Sequence, residues 1–468
     1  MITGTSARED PGIAAGRWGI AAVLGAMMLV VLDGAIANIA LPRIGIALGI
    51  GPAAAVRIVT AYQLGVVVAL LPAAALGESL GHRLVFRAGT GLFIAASVLC
   101  AAAPSIDWLV AARVLQGIGG AGILALGVAL LRAIVPPSRF GAAIGWNAMT
   151  VALTSAAGPT LGTLVLAFAP WPWLFLINLP FGLIILLAGR ALPRAPGTAA
   201  LLDWTSVALN VGAFGGLVAG VEMLATKVPA GFGWILLATV CAALLIARQF
   251  NLAAPLLPLD LLGQPSFVRA IAGSILCFAG QTAGMIALPF YLQRSIGMTP
   301  MTMAVCLTLW PLSVAAVGPW AGKWADAERT DALCLAGSVL LCTAFASAIL
   351  LPLAAYPLAV GACAISGGLG FGLFNVANNR RLFMAAPPHR SGAAGGLQGM
   401  ARLIGQLAGG VLLTALFTVV RAAMAPRLAL LLAAALALAA GIVSVFSPCV
   451  SLQSFGRRRY EKASARRS

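Results

Sequence analysis

The sequence predicts an all-α, polytopic membrane protein with fourteen transmembrane helices, arranged as two six-helix halves plus two inserted helices. Hydrophobic residues make up 61% of the 468-residue chain, whereas a soluble globular protein has roughly 45–50%. Charged residues make up only 9%, against about 25% in an average chain. A soluble fold of this size could not hide so much apolar surface, so the lipid bilayer must act as a second solvent.

Fourteen apolar runs supply these helices, most of them with about the 20 residues that a membrane-spanning helix needs. They lie near residues 18–41, 57–77, 84–104, 107–131, 140–168, 171–189, 204–224, 232–248, 267–291, 300–321, 331–352, 357–379, 391–419 and 427–448. Each run is continuously apolar, whereas the strands of outer-membrane barrels alternate. The first run is too long for the hydrophobic region of a signal peptide, so we interpret it as a retained span.

The basic residues predict the orientation. If the N-terminus is cytoplasmic and every span reverses direction, 21 of the 29 Lys and Arg residues fall in cytoplasmic segments, six fall outside, and Arg113 and Arg402 lie within spans. Positive charge accumulates in cytoplasmic loops, which places both termini in the cytoplasm and the chain in a bacterial inner (plasma) membrane. The net charge of +17 therefore flanks the spans, and we expect no nucleic-acid partner.

A weak internal echo supports a duplicated half. The segments 74–83 and 322–329 each follow the second span of a six-span block, and each sets an acidic residue just before basic ones. The predicted divisions are a cytoplasmic N-terminus (1–17), an N-terminal half (18–190), two inserted helices with linkers (191–266), a C-terminal half (267–448) and a basic cytoplasmic tail (449–468). Repeated halves around a midplane site are a transporter design.

Asp33 is the most informative residue of the first span. At 1.5 Å per residue it lies about 22 Å from Trp18 and about 12 Å from Leu41 along the helix. A charged carboxylate at that depth is costly unless it is paired, and an acid there could take up and release protons as a relay. The alternative is a carboxylate held only by helix–helix hydrogen bonds.

Arg113 and Arg402 are the two basic residues inside spans. Neither can stay charged in hydrocarbon without a partner, so each should face the bundle interior or reach an interface. Arg402 lies about 18 Å along its helix from Arg390, which makes such a reach difficult. We expect Arg113 to interact with Asp33, directly or through water. A structural ion pair or an interface anchor remains the alternative for both arginines.

Other polar or helix-perturbing residues give less specific signals. The fifth span contains Gly158, Pro159 and Gly162, where a bend is expected. Glycines from Gly117 to Gly122 and at 368, 370 and 372 should let helices pack closely. Glu222 is either an interface residue or a secondary acidic site. Polar side chains within spans line a cavity or join helices: Asn38, Asn147, Gln281, Asn375 and Gln406.

No catalytic or metal-binding constellation is present in the sequence. The eight cysteines form no C-x-x-C pair, and we interpret them as small hydrophobic residues. The sequence contains no H-E-x-x-H and no G-x-x-x-x-G-K-[ST] motif. We therefore expect no metal, no ATP, no cofactor and no enzymatic activity.

Several segments resemble the fourteen-span drug:proton antiporters of the major facilitator superfamily, over most of the chain. Residues 32–42 resemble the family's L-D-x-T-[IV]-[VA]-N-V-A-L-P signature, with Ala35 in place of Thr. Residues 171–182 resemble the sixth-span W-R-W-x-F-x-I-N-x-P-x-G, and residues 202–204 resemble the start of the inserted pair. The resemblance implies the major facilitator fold.

The same resemblance implies roles for individual residues. Glu78, Gly81 and Arg83 match the gating loop between the second and third spans, with Glu78 in place of the usual Asp. Asp326 lies in the corresponding later loop. Arg113 and Gly117 match a fourth-span motif to which proton transfer is attributed. Gly158, Pro159 and Gly162 match the fifth-span motif of exporters, with Thr163 in place of its second glycine.

Together these features predict a proton-coupled secondary exporter of amphiphilic organic compounds, working by alternating access as a monomer. Its partners would be a small-molecule substrate and the bilayer, and the proton gradient would drive it, with Asp33 and Arg113 in the coupling. An importer or uniporter on the same fold is the alternative, and a membrane-embedded enzyme is disfavoured. Neutral, monocationic and anionic substrates all remain open.

Overall fold

The computed structural model describes residues 11–136, 140–194, 203–224, 227–249, 259–324, 330–350, 357–385, 391–421 and 424–445. Within these residues the fold is helical, with fourteen segments of span length. They are α1 (Pro11–Ala47), α2 (Pro52–Leu80), α3 (His82–Ala101), α4 (Ile106–Ile134), α5 (Phe140–Phe168), α6 (Trp173–Leu176 and Asn178–Ala188), α7 (Trp204–Leu224), α8 (Val228–Gln249), α9 (Pro265–Phe290), α10 (Pro300–Trp324), α11 (Thr330–Leu350), α12 (Pro357–Ala385), α13 (Ser391–Val419) and α14 (Ala425–Val445).

The predicted all-helical, fourteen-span fold is confirmed, and each apolar run corresponds to one of these segments. Thirteen of them are long and apolar enough over their described residues to cross a membrane, and α5 is 29 residues long. The helices commonly extend beyond the apolar runs, as α1 does at both ends. The predicted spans were therefore correct in number and order but often too short.

The sixth span differs from the prediction because it is broken. Its two helical segments are separated by Ile177. Pro180 explains the position of the break, because it has no N–H to offer to the carbonyl of Leu176. In contrast, α5 runs as one helix across Gly158 and Pro159, so the glycine–proline motif does not interrupt the fifth span, and the bend expected there stays a prediction.

Close glycine contacts hold the helices of each half together, as the sequence predicted. A Cβ added at Gly117 of α4 would stand 2.2 Å from the carbonyl oxygen of Tyr62 in α2. In the other half, a Cβ at Gly370 of α12 would stand 2.6 Å from the amide nitrogen of Leu341 in α11. Backbones this close exclude any side chain, so glycine is required at both crossings.

The two halves meet at one end of the bundle, the end at which α1 finishes and α2 begins. There the Thr160 hydroxyl of α5 lies 2.7 Å from the Thr308 hydroxyl of α10, and Gly410 of α13 lies against Thr60 of α2. One hydrophobic cluster at this end draws residues from both halves, including Ile44 and Phe290. We call this end the packed end.

The inserted helices α7 and α8 pack on each other and dock on α2. The side-chain amide of Asn210 in α7 donates to the carbonyl oxygen of Val68 at 2.8 Å. That carbonyl lacks its usual helical donor because Pro72 stands four residues later. At one end of the pair, Arg248 donates twice to the Asp203 carboxylate, at 2.9 and 3.0 Å.

Candidate proton site and interior

Asp33 of α1 and Arg113 of α4 form a buried ion pair. Nη1 of Arg113 donates to Oδ2 of Asp33 at 2.5 Å, and the two side chains are 0% and 1% exposed. Helix α4 is brought to this position by its close crossings with α2 and α3, where Gly117 and Gly119 allow backbone contact. The interaction expected between the two residues is therefore present as a direct contact.

The other carboxylate oxygen of Asp33 is saturated by two amides. Nε2 of Gln116 and Nδ2 of Asn178 each donate to Oδ1 at 2.8 Å. The Ser97 hydroxyl accepts from the same two amides, at 2.9 and 3.2 Å. Three helices, α1, α4 and α6, thus meet at one carboxylate, and α3 joins them through Ser97. The hydrogen bonds offset the cost of burying the charge.

Arg113 is held by more than the carboxylate. Its Nε donates to the carbonyl oxygen of Ile58 at 3.2 Å, and its Nη1 also donates to Oε1 of Gln116 at 2.6 Å. The guanidinium lies 4.4 Å from the ring centre of Tyr62 and 5.6 Å from that of Phe175. Aromatic faces attract a cation, so the arginine keeps its charge between two rings and one acid.

The neutral members of this network were not predicted from the sequence. Gln116 follows Arg113 by three residues, a spacing that sets two side chains on the same helix face. Ser97 and Asn178 are polar residues inside apolar spans, a pattern that often marks helix–helix hydrogen bonds. These signals were available in the sequence, but they do not show that Gln116 and Asn178 bind Asp33 or that Ser97 binds both amides.

Arg402 lies apart from this network, half-buried in α13. Within the described part of the chain it makes no ion pair and no hydrogen bond. The described residues therefore do not form the structural ion pair that was the alternative for Arg402.

The predicted cavity-lining residues are distributed over both halves. Asn38 and Gln281 are half-buried in α1 and α9, and Gln406 is half-buried one turn after Arg402. Oδ1 of Asn38 is buried with no hydrogen-bond partner among the described residues. Asn375 accepts from the side-chain amide of Asn379 at 3.0 Å, so it contributes to packing within α12.

The predicted gating loop is a single residue between two helices. Gly81 has a φ of +97°, a backbone conformation that glycine adopts without strain, and it separates α2 from α3. Arg83 donates to the carbonyl oxygen of Leu192 at 3.0 Å, which ties the start of α3 to the segment after α6. Glu78 is exposed near the end of α2. Asp326 lies outside the described residues.

The fifth-span motif lies against the first helix. A Cβ at Gly158 would stand 2.4 Å from Cβ of Ala35, and Gly162 lies against Ile36. The motif thus packs beside the helix that carries the buried acid. The side chains of Pro159, Asn147 and Glu222 lie outside the described part of the chain, so their predicted roles stay predictions.

Comparison with known proteins identifies the family. The profile of the Major Facilitator Superfamily matches residues 23–410. The chain belongs to this superfamily. Among this transporter's relatives, the uncharacterized transporter YebQ of Escherichia coli is 38% identical over 392 residues, which cover 82% of this chain and 85% of the relative.

Further likenesses agree with this membership. The puromycin resistance protein pur8 of Streptomyces alboniger is 30% identical over 421 residues, covering 86% of this chain and 82% of the relative. The crystal structure of a POT family transporter with a thioalcohol-conjugated peptide superimposes with a TM-score of 0.69, covering 91% of this chain and 95% of that chain. At 15% identity this likeness shows the fold alone.

These findings establish a multi-pass membrane transporter, not an enzyme. They confirm the predicted resemblance to drug exporters, because relatives include a puromycin resistance protein and a tetracenomycin C resistance and export protein. The roles of Asp33, Arg113 and the other site residues stay predictions.

Proposed function

We propose that this major facilitator is a proton-coupled exporter of amphiphilic organic compounds. The observation that carries the proposal is the buried pair of Asp33 and Arg113. Among the described side chains, Asp33 is the one acid held deep within a span, so it is the carboxyl group there that would take up and release the proton. Resistance proteins among the relatives support export of toxic organic compounds.

The packing suggests how protonation would reach the contact between the halves. Neutralising Asp33 would remove its attraction for Arg113 and weaken the link between α1 and α4. Two residues after Asp33, Ala35 lies against Gly158 of α5. On the same helix, Thr160 contacts Thr308 of the other half. A shift of α1 would therefore act on the packed end, as alternating access requires.

The proposal includes an orientation in the membrane and a set of partners for this protein. The excess of basic residues in alternate loops supports cytoplasmic termini in an inner membrane, and the packed end would then face outward. The protein would work as a monomer in the bilayer on a small-molecule substrate, with the proton gradient as its energy source and without ATP or nucleic acid.

Flux measured in inside-out membrane vesicles tests this function. A growth screen of an exporter-deficient host first finds the compound to which expression of the chain gives most resistance. We expect this compound to accumulate in the vesicles when their interior is acidic, and to stop accumulating when a protonophore removes the gradient. Uptake that only equalises the inside and outside concentrations, with or without the gradient, indicates a uniporter, and gradient-driven depletion indicates an importer; either result contradicts the proposal.

A further inference from the structure

The charges inside the spans do not balance. Arg113 neutralises Asp33, and both side chains are sealed from solvent. Arg402 is the remaining charged residue deep within the spans among the described side chains, and no described residue pairs with it. The transporter's interior therefore carries one guanidinium whose positive charge no protein carboxylate in this part of the chain offsets.

The neighbours of Arg402 along α13 show which way it faces. Gly405 and Gly409 lie against the backbone of α9, at Ile275 and Ala279. Leu403 and Leu407 belong to a hydrophobic cluster that includes residues of α2. Successive helix residues are about 100° apart, which sets Arg402 between the arc that faces α9 and the arc that faces α2.

Because α9 belongs to the C-terminal half and α2 to the N-terminal half, Arg402 points toward the seam between the halves. Gln406 follows it by one turn near the same direction. Gly399 precedes it by one turn, and a Cβ added there would meet no atom within 4 Å. The face of α13 is therefore open beside Arg402, at Gly399.

Two polar groups of the N-terminal half that lack a described partner carry no charge, and one of them, Oε1 of Gln63, lies at the seam, where a Cβ added at Gly410 of α13 would stand 3.4 Å from it. Asn38 of α1 presents a buried Oδ1 without a described partner, and its main-chain carbonyl lacks a helical donor because Pro42 follows four residues later. Oε1 of Gln63 in α2 is also buried without a described partner. Such groups can hydrogen-bond the polar part of a substrate, but they give no electrostatic preference for a cation.

We propose that Arg402 binds the acidic group of the substrate, and that the transported compounds are amphiphilic organic monoanions such as carboxylates or sulfonates. An unpaired guanidinium at a partly dehydrated site attracts an anion and repels a cation. Its planar fork can donate two parallel hydrogen bonds to a carboxylate or sulfonate. The inference rests on the proposed exporter function and assigns its substrate class.

Three probes that share one ring system but differ in charge test the proposal. Naphthalene-1-sulfonate is an anion, naphthalene-1-sulfonamide is neutral, and N,N,N-trimethyl-1-naphthylammonium is a cation. Their binding to the full-length protein in detergent is measured by equilibrium dialysis, with empty micelles as background. We expect the sulfonate to bind at least about tenfold more tightly than the other two, the size of one charge-assisted hydrogen bond.

Substitutions of Arg402 test whether this residue causes the preference for the sulfonate. Arg402→Gln should remove the preference for the sulfonate, and Arg402→Lys should retain part of it because the charge remains while the fork is lost. Arg427→Gln is the matched control, since Arg427 is exposed in the first turn of α14, and it should bind as the parent does. The comparison of probes on the unaltered protein remains decisive even if Arg402→Gln does not fold.

Three results would overturn the proposal: no saturable binding of the sulfonate, binding of the ammonium probe at least as tight, or an undiminished anion preference in Arg402→Gln. Flux in proteoliposomes separates this failure from failure of the proposed function. Gradient-driven export of the ammonium probe alone refutes the substrate class and leaves the exporter intact. Sulfonate binding through Arg402 without gradient-driven flux refutes proton-coupled export and leaves the substrate class intact.

Discussion

The two halves of this transporter share one packing plan but join their corresponding helices with different chemistry. In the N-terminal half, Arg113 of α4 reaches Asp33 of α1 through a buried ion pair. In the C-terminal half, Asn378 of α12 reaches α9 instead, donating at 2.8 Å to the Ser274 hydroxyl and at 2.8 Å to the Ala270 carbonyl oxygen.

The difference shows that the packing plan does not require charge. A neutral amide joins the helices of the C-terminal half, whereas the N-terminal half bears the cost of burying two ions. Buried ion pairs are weak evidence for stability because desolvation can exceed the attraction. The difference supports the proposal that the pair of Asp33 and Arg113 serves coupling, and we expect the amide link to be structural. The charged pair of the other half, Arg381 with Asp331, lies at the start of α11, where the Asp331 side chain is 51% exposed.

The largest loss of stability should come from substitutions at the close glycine crossings that both halves share. Gly117→Leu and Gly370→Leu would each force a side chain into a facing backbone, and we expect either change to cost more than about 3 kcal/mol and prevent folding. Gly91→Leu is the matched control, because a Cβ at Gly91 meets no atom within 4 Å. Yields of monodisperse protein in detergent measure the effect, and a well-folded Gly117→Leu protein would contradict the close crossing.

Removing one member of the charged link should have the next largest effect. Arg113→Ala leaves the buried Asp33 carboxyl group without its counter-ion, at a cost of about 3–5 kcal/mol, and we expect transport to be lost. Arg113→Lys keeps the charge and should retain part of the transport. Thermal unfolding in detergent and the pH dependence of flux check both variants. Parent-like transport with an unchanged pH profile in Arg113→Ala would assign Arg113 to a structural role.

The neutral link should matter for stability and not for coupling. Asn378→Ala leaves the Ala270 carbonyl and Ser274 with one partner fewer, and we expect a loss of about 1–3 kcal/mol. The number of protons exchanged per substrate should be the same as in the parent. A changed stoichiometry in proteoliposomes would show that Asn378 takes part in coupling, which contradicts its proposed structural role.

The smallest loss of stability should come from the ion pair between Asp203 and Arg248, which joins one end of the inserted helices. Hydrogen bonds from Arg248 hold the pKa of Asp203 below its ordinary value. Because the folded-state pKa is depressed, this stabilisation is present above the unfolded pKa of about 3.9 and is lost only as the pH falls through the lower folded value. Asp203→Asn should lower the unfolding temperature by no more than about 2 °C, equally at pH 5 and pH 8. If Asp203→Asn lowered the unfolding temperature by different amounts at pH 5 and pH 8, the depressed pKa of Asp203 would be contradicted.

The helices and the contact between Asp33 and Arg113 could be predicted from the sequence, but the hydrogen-bond network around that contact could not. Composition and apolar runs predicted the number and order of spans, and lone charges at depth predicted that Asp33 meets Arg113. The sequence could not predict that Gln116 and Asn178 donate to the same acid while the Ser97 hydroxyl accepts from both amides, because helices that are apolar on every side give no periodic signal of which faces meet. That Arg402 has no ionic partner among the described residues likewise depends on how α2, α9 and α13 pack.

The most direct test of the central claim is pH-gradient-driven transport by Asp33→Asn in proteoliposomes. Asparagine keeps the shape and some hydrogen bonds of Asp33 but cannot exchange a proton. Asp107→Asn serves as the control, because the Asp107 side chain is 83% exposed. We predict that Asp33→Asn is folded but loses transport driven by the proton gradient, while Asp107→Asn transports as the parent does. Normal gradient-driven transport by a folded Asp33→Asn protein would contradict the assignment of Asp33 as the coupling site.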